Sequence, residues 1–138
     1  MAKQSGLGDY LAVDDSAGSA RDLSSNINSL SITTGQATTV VTGIDKSAVE
    51  RIPLTADSTI SLNMTFDSAA NMEHDVFKTM VNTRTVTYCV GGNDASNPKL
   101  AQEMLISSVG QERTAEGALN VTATLELQSG VVPTWTTV

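Results

Sequence analysis

The chain has 138 residues and a formal net charge of −7, from 15 acidic and 8 basic side chains. This length suits one domain with a sizeable core, so we expect a single domain over residues 1–138. The acidic balance opposes binding to nucleic acids and to anionic membranes, because both depend on clustered Lys and Arg side chains. The sequence has no such cluster.

The sequence also shows no sign of secretion or membrane insertion. Residues 1–9 lack the apolar core of a signal peptide, and no apolar run approaches the ~20 residues that span a bilayer. Cys89 is the sole cysteine, so an intrachain disulfide is impossible. We therefore expect synthesis in a reducing cytoplasm and no membrane binding by this chain.

Two weak strands and a long irregular segment come first along the chain. Strands are predicted over residues 10–13 and 23–32. Between about residues 33 and 57 the alternation loosens, and a connection of this length is unusual in a small domain. It is either a β-hairpin arm that projects toward a partner or a mobile loop. As an arm, it would make its contacts through Val40, Val41, Ile44, Val49, Arg51 and Ile52.

Two later segments alternate apolar and polar residues with period two, which predicts strands with one buried face. They cover residues 58–67 and 119–128. Further strands are predicted over 83–90 and 100–109, and the last two long strands are expected to pair as a hairpin. The apolar members of the two alternating segments are Ile60, Leu62, Met64 and Phe66, and Leu119, Val121, Ala123, Leu125 and Leu127.

One segment departs from the β pattern. Apolar residues recur there at helical spacing, which predicts a helix over about residues 70–82. They are Met72, Val76, Phe77, Met80 and Val81. The chain is therefore expected to be mainly β and antiparallel, with this single helix beside the strands.

Catalytic groupings are nearly absent from the sequence. His74 is the only histidine, and its acidic neighbours on a helix would point about 100° apart rather than toward one ion. Cys89 within a Thr- and Val-rich strand is more typical of a core or interface residue than of a nucleophile. Asp14 and Asp15 adjoin a turn, where solvated carboxylates are common. We expect no enzyme activity, no catalytic or metal-binding residues and no cofactor.

The remaining candidate for function is the surface. Sheet edges carry unpaired backbone groups that tend to pair with other chains, and strand faces of Thr, Ser, Asn and Gln hold few charges that would prevent it. These features fit a self-assembling subunit. They fit a monomeric β-sandwich with solvated edges equally well.

Short motifs along nearly the whole chain resemble those of siphophage major tail proteins, which are tail tube subunits. The opening Ser5-Gly6-Leu7-Gly8-Asp9 resembles the start of many such proteins, and residues 22–30 resemble the family's Asp-Leu-Ser-Gly-Asp-Val/Ile-x-Ser-Leu strand. Residues 38–52 stand where the family has a long arm. Residues 58–67 leading into His74-Asp75-Val76-Phe77 match its strand-to-helix junction, and residues 120–130 its closing strand and turn. The chain departs from the family at Leu54-Thr55-Ala56-Asp57, where a Gly is common, and in its scarcity of aromatic residues.

The resemblance implies two packed antiparallel β-sheets, as a sandwich or barrel, with a flanking helix over about 70–82 and an arm over about 33–57. It implies six-membered rings that stack into the tail tube of a virion around a tape-measure protein, beside other tail proteins. DNA would pass through the tube without specific binding. Six copies would carry 6 × (−7) = −42 formal charges, and an acidic lumen would repel phosphate.

Alternation leaves a polar face on the long strands, and we expect this face to line the lumen. The candidate residues are Asp67, Glu103, Thr122, Thr124 and Glu126. Alternative functions are another β-rich tail component and the inner-tube protein of a secretion or contractile injection system. A carbohydrate-binding sandwich is a further alternative, but it would need exposed aromatic residues, and only Trp135, Tyr10 and Tyr88 are available.

Overall fold

The computed structural model describes residues 5–138, which form eight strands and one short helix. The elements are β1 Tyr10–Asp14, β2 Ala20–Asp22, β3 Ile27–Val40, β4 Arg51–Thr65, α1 Glu73–Phe77, β5 Arg84–Cys89, β6 Pro98–Arg113, β7 Leu119–Leu127 and β8 Trp135–Thr137. The strands pair in the order β2-β1-β5-β6-β7-β4-β3, and β8 pairs with the start of β6. Every pairing is antiparallel. The mainly β fold with one helix is confirmed.

The strands form one continuous sheet rather than the two packed sheets expected. Edge strands β2 and β3 are joined by residues 23–26 alone, a length that bridges at most about 18 Å. The sheet must therefore curl until its two edges approach each other. The linker bonds to both sides, because the Leu23 N–H donates to the Leu11 carbonyl of β1 and the Thr65 N–H of β4 donates to the Asn26 carbonyl. Within residues 5–138 no strand pairing joins β2 to β3, so the barrel stays open.

The core lies inside this curl, and alternation selects its members. On β4 and β7 the predicted apolar residues Ile60, Leu62, Val121 and Leu125 are at most 2% exposed. The register places Leu62 opposite Ala123 on the same inward face. The burial of these large side chains, each worth about 1.5–3 kcal/mol, is the main stabilisation of the fold.

The helix is much shorter than the predicted range of 70–82. It covers only Glu73–Phe77 and its N-cap residue makes no side-chain capping bond. Asn71 and Asn82 have φ values of 66° and 70°, in the left-handed region that a helix cannot include. The helical spacing of the apolar residues therefore continues beyond the helical backbone, and Met80 and Val81 are exposed.

A fully buried arginine organises the segment that follows the helix. Arg84 is 0% exposed and its guanidinium donates five hydrogen bonds to the carbonyl oxygens of Asp14, Val76, Thr79 and Val81. These bonds join β1, the helix end and β5. Burial lowers the pKa of this guanidinium, and no carboxylate of residues 5–138 lies within ion-pair distance of it.

Candidate assembly surfaces

The irregular segment predicted over residues 33–57 is a β-hairpin arm, not a loop. Its strands are paired from Thr33 opposite Thr59 out to Val40 opposite Arg51, and the Val41 N–H donates to the Glu50 carbonyl at 2.9 Å. Strand β7 accompanies β4 only over residues 59–65. The outer part of the hairpin is therefore a two-stranded ribbon, a structure that is marginally stable alone in water.

The arm exposes apolar side chains. Ile44 at its tip is fully exposed, and about half of the surface of Val40, Val41, Val49 and Ile52 is accessible. Arg51 is exposed as well. Clustered apolar exposure of this kind marks interaction surfaces. The exposure of these residues is compatible with the predicted contacts to other subunits, which remain a prediction.

A β-bulge divides the arm residues between two faces. Gln36 is opposite Ala56, but two residues further along β3, Thr38 is opposite Pro53, so β4 contains one extra residue in this stretch. An extra residue moves all following side chains to the other face of the strand. Without the bulge, Ile52 would share the core-facing side with the even-numbered residues of β4. With the bulge, it lies on the opposite side.

The resulting faces of the ribbon are both partly apolar. The core-side face continues from Leu30 and Ile32 of β3 and presents Val40 with Pro53 and Arg51. The outer-side face presents Ile52, which is opposite Thr39, and Val41, which extends the ladder by its bond to Glu50.

Four of the five candidate lumen residues lie together on the outer face of the sheet. Glu126 is opposite Thr59 of β4, Thr124 is opposite Ser61, and Thr122 is opposite Asn63. Glu126 is also opposite Leu105 of β6, two residues from Glu103 on the same side. Ser, Thr and Asn side chains with these two carboxylates therefore form a largely polar face, in which the exposed Leu105 lies between Glu103 and Glu126. It is hereafter called the polar face.

Asp67 is not part of the polar face. It lies beyond the end of β4, where its carboxylate accepts hydrogen bonds from the Ala69 N–H at 2.9 Å and the Asn26 amide at 3.1 Å. These bonds lower the pKa of Asp67, the Ala69 N–H contributing most. Its own N–H donates to the Glu73 carboxylate at 2.6 Å. The structure thus gives Asp67 a local role in the connection from β4 to α1.

Replacing the buried Glu73 with glutamine tests this connection. Glu73 is 1% exposed and burial raises the pKa of its carboxyl, so the charged form at neutral pH costs stability. The amide oxygen of Glu73→Gln can still accept the Asp67 N–H. We expect the free energy of unfolding at pH 7 to rise, because a neutral amide does not have to be desolvated as a charge. Because acid protonates Glu73 in the native state, the gain should vanish as pH falls below the carboxyl's ordinary range, as measured by urea unfolding at several pH values. An equal gain at every pH would contradict the prediction.

The residues considered for chemistry do not form a catalytic arrangement in the part of the chain described. No group of three or more His, Cys, Asp or Glu side chains there is placed to hold a metal ion. The His74 ring lies against Phe66 at 5.0 Å between centroids. Cys89 is buried, and burial raises the pKa of its thiol.

None of the helices in residues 5–138 is long and apolar enough to cross a membrane.

Sequence patterns missed two features near the N-terminus: a hydrogen bond between Asp9 and Tyr88, and a groove beside Tyr88. The Asp9 carboxylate accepts hydrogen bonds from the Tyr88 hydroxyl and the Gly91 N–H. Burial, followed by this bond, raises the pKa of Tyr88 to about 12. Tyr88 also packs edge-on against Trp135, with centroids 6.1 Å apart, beside a groove of about 340 Å³ that includes Leu30. Asp9 and Tyr88 are 79 residues apart in the sequence, so no local sequence pattern predicts their contact.

Comparison with known proteins gives structural matches alone. The sequence matches no family model and no curated protein. The fold is similar to a chain in the tail of an empty gene transfer agent particle with C6 symmetry (TM-score 0.73, 12% identity, 99% of each chain covered). It is also similar to a chain of the SPP1 tail tube (TM-score 0.72, 11% identity, 91% of this chain and 76% of that one). A chain of the anti-feeding prophage baseplate is similar as well (TM-score 0.61, 11% identity, 100% and 97%). The expected tail tube fold is confirmed.

Proposed function

We propose that this chain is the subunit of a virion tail tube, built as stacked hexameric rings through which DNA is delivered into a host. The observation that carries the proposal is the ribbon-like arm on a tail tube fold. The arm has exposed apolar side chains, and no third strand of residues 5–138 pairs with it. Such an arm is stabilised when other copies cover it. The C6 symmetry of the similar gene transfer agent tail supports rings of six.

The polar face supports the role of a conduit. Its Thr, Ser and Asn side chains, together with Glu103 and Glu126, offer no cation to a phosphate backbone. In a ring, six copies of this face would make an acidic wall along which DNA slides, because phosphate contacts need Lys or Arg. We infer that Glu103, Thr122, Thr124 and Glu126 line the lumen. A tape-measure protein and other tail proteins would be the further partners.

Negative-stain microscopy of the purified chain tests the proposal. We expect hollow tubes or rings above a threshold protein concentration. Assembly should be unchanged after exhaustive chelation and dialysis, because residues 5–138 hold no group of three or more His, Cys, Asp or Glu side chains placed to bind a metal ion. A chain that remains monomeric at every concentration and salt condition would contradict the tube role and favour a solvated β-sandwich.

Reversing one charge on the polar face tests its place in the lumen. Glu126→Lys should leave tubes intact, because the side chain is exposed, but should slow DNA release from particles built with it. Each added cation provides a phosphate contact, and six copies would add six. The matched control Glu126→Gln removes the charge without adding a cation and should slow release much less. Unchanged release kinetics for Glu126→Lys would contradict the lumen position while leaving the tube role intact.

A second candidate is the inner tube of a contractile injection system, because the fold is also similar to the chain of the anti-feeding prophage baseplate. Both candidates predict tubes in vitro. They differ in cargo, so particles purified from the producing cells should contain nuclease-protected DNA under the first proposal and lack it under the second.

A further inference from the structure

We infer that the arm is held between two other copies of this chain, one against each face of the ribbon. The inference rests on the proposed tube function and goes beyond it by assigning the two faces to different neighbours. A ribbon that lies on one surface needs apolar side chains on one face alone. Here Val40 and Pro53 lie on the core-side face, and Val41 and Ile52 lie on the outer-side face.

The bulge in β4 is the feature that produces this division. The uninterrupted alternation of β4 would place Ile52 on the same side as Ile60 and Leu62, which are buried in the core. The extra residue between Pro53 and Ala56 moves Ile52 to the other side. Bulges commonly re-aim side chains near functional sites. As a result, each face of the ribbon presents an apolar side chain with roughly half of its surface exposed: Val40 on the core-side face and Ile52 on the outer-side face.

Charge indicates that the neighbours are copies of the same chain. Residues 38–52 contain two acidic and two basic side chains, Asp45, Lys46, Glu50 and Arg51, so their net charge is zero. The whole formal charge of −7 therefore lies outside residues 38–52. A neutral apolar ribbon can approach the acidic body of another copy without the repulsion that two bodies would experience.

Arg51 adds a complementary charge to the core-side face. Lys46 is paired with Glu50 at 3.6 Å, whereas no carboxylate of residues 5–138 lies within ion-pair distance of Arg51. Exposed acidic side chains on the body of a neighbour outside the polar face, such as Glu116 between β6 and β7, are suitable partners. The core-side face thus combines an apolar contact with a single cation that an acidic copy would accept.

Trace photo-crosslinking distinguishes one neighbour from two. Thr38 and Thr39 are both exposed and lie on the core-side and outer-side faces respectively. In a Cys89→Ser background, Thr38→Cys, Thr39→Cys or both would be coupled to a benzophenone maleimide. The labelled chain would then be assembled with a twentyfold excess of unlabelled chain and irradiated. Dilution ensures that each labelled arm is surrounded by unlabelled copies.

We expect covalent dimers from either single label and covalent trimers from the double label, with the two labels mapping by mass spectrometry to different regions of the chain. Unassembled monomer at low concentration should give no crosslinks and is the control. Dimers alone from the double label, or crosslinking from one face alone, would overturn the inference while leaving the tube function intact. If the unlabelled excess forms no tubes, the proposed function itself fails.

Face-specific charges provide the second measurement. Val40→Asp and Ile52→Asp each introduce a carboxylate on one face, and both positions are exposed, so the monomer should remain folded by circular dichroism. We expect each to raise the protein concentration needed for assembly at least tenfold. The matched control Val131→Asp changes an exposed valine outside the arm and should raise it less than threefold. Wild-type assembly by either arm variant would contradict a two-sided contact.

Discussion

Replacing Arg84 with methionine is expected to lower the free energy of unfolding by about 3–5 kcal/mol. Methionine retains an apolar stem of similar length but leaves the carbonyl oxygens of Asp14, Val76, Thr79 and Val81 without the donors that they have now. Each buried acceptor that loses its partner costs roughly 1–3 kcal/mol, partly offset because a buried charge no longer has to be desolvated. Since a domain of this size is stable by about 5–15 kcal/mol, the variant should lose a large part of its stability.

Urea unfolding followed by circular dichroism measures this effect, and two further variants define its origin. Arg84→Lys retains the positive charge but lacks the planar fork that reaches several carbonyls at once, so its stability should lie between wild type and Arg84→Met. Arg113→Met, at the exposed end of β6, should change stability by at most about 0.5 kcal/mol. An Arg84→Met variant within 1 kcal/mol of wild type would show that the carbonyls find other partners.

The sequence predicted the strand segments in which every second side chain is buried. On β4 and β7 each apolar residue from Ile60 to Met64 and from Val121 to Leu125 faces the same core, so the period-two signal is complete. The β6–β7 hairpin was predicted from the polar stretch that joins these two consecutive strands, although β6 extends to Arg113, into that stretch. There the partner strand, rather than burial, determines the conformation.

The curl of the sheet depends on contacts that no local pattern encodes. That β2 and β3 are opposite edges of one sheet follows from the pairing of β1 with β5 and of β4 with β7, which are distant in sequence. Arg84 lies between two Thr residues in a strand and has the local pattern of a surface residue. Its burial depends on hydrogen bonds to the carbonyl oxygens of Val76, Thr79 and Val81, at and after the end of α1.

The candidate interface was predicted in position and in composition but not in geometry. Exposed apolar residues between 38 and 52 are visible in the sequence, and their lack of a place in the core followed from the weak alternation. The face on which each residue lies could not be predicted. One extra residue in β4 reverses the assignment of Ile52. Pro53 is typical of edge strands as well as of bulges, so the local sequence does not decide between them.

Removing the arm is expected to abolish assembly and to leave the domain folded. Gly35 and Asp57 are directly opposite each other in the register, so residues 36–56 can be replaced by Asn-Gly, which closes a hairpin as a two-residue turn. All of the deleted side chains are exposed except Ala56, which is partly so, and the core would lose almost no contacts. The free energy of unfolding of the monomer should change by about 1 kcal/mol or less.

A second variant separates the length of the arm from its apolar character. Substituting threonine at the five apolar positions Val40, Val41, Ile44, Val49 and Ile52 retains strand propensity and the ribbon, but removes most of the apolar surface available to a neighbour. Light scattering and negative-stain microscopy at equal concentrations should show long tubes for wild type, and monomers for both the truncated chain and the threonine variant. Tubes from the threonine variant alone would mean that backbone pairing of the ribbon suffices for assembly. Wild-type tubes from the truncated chain would show that the arm is no interface at all.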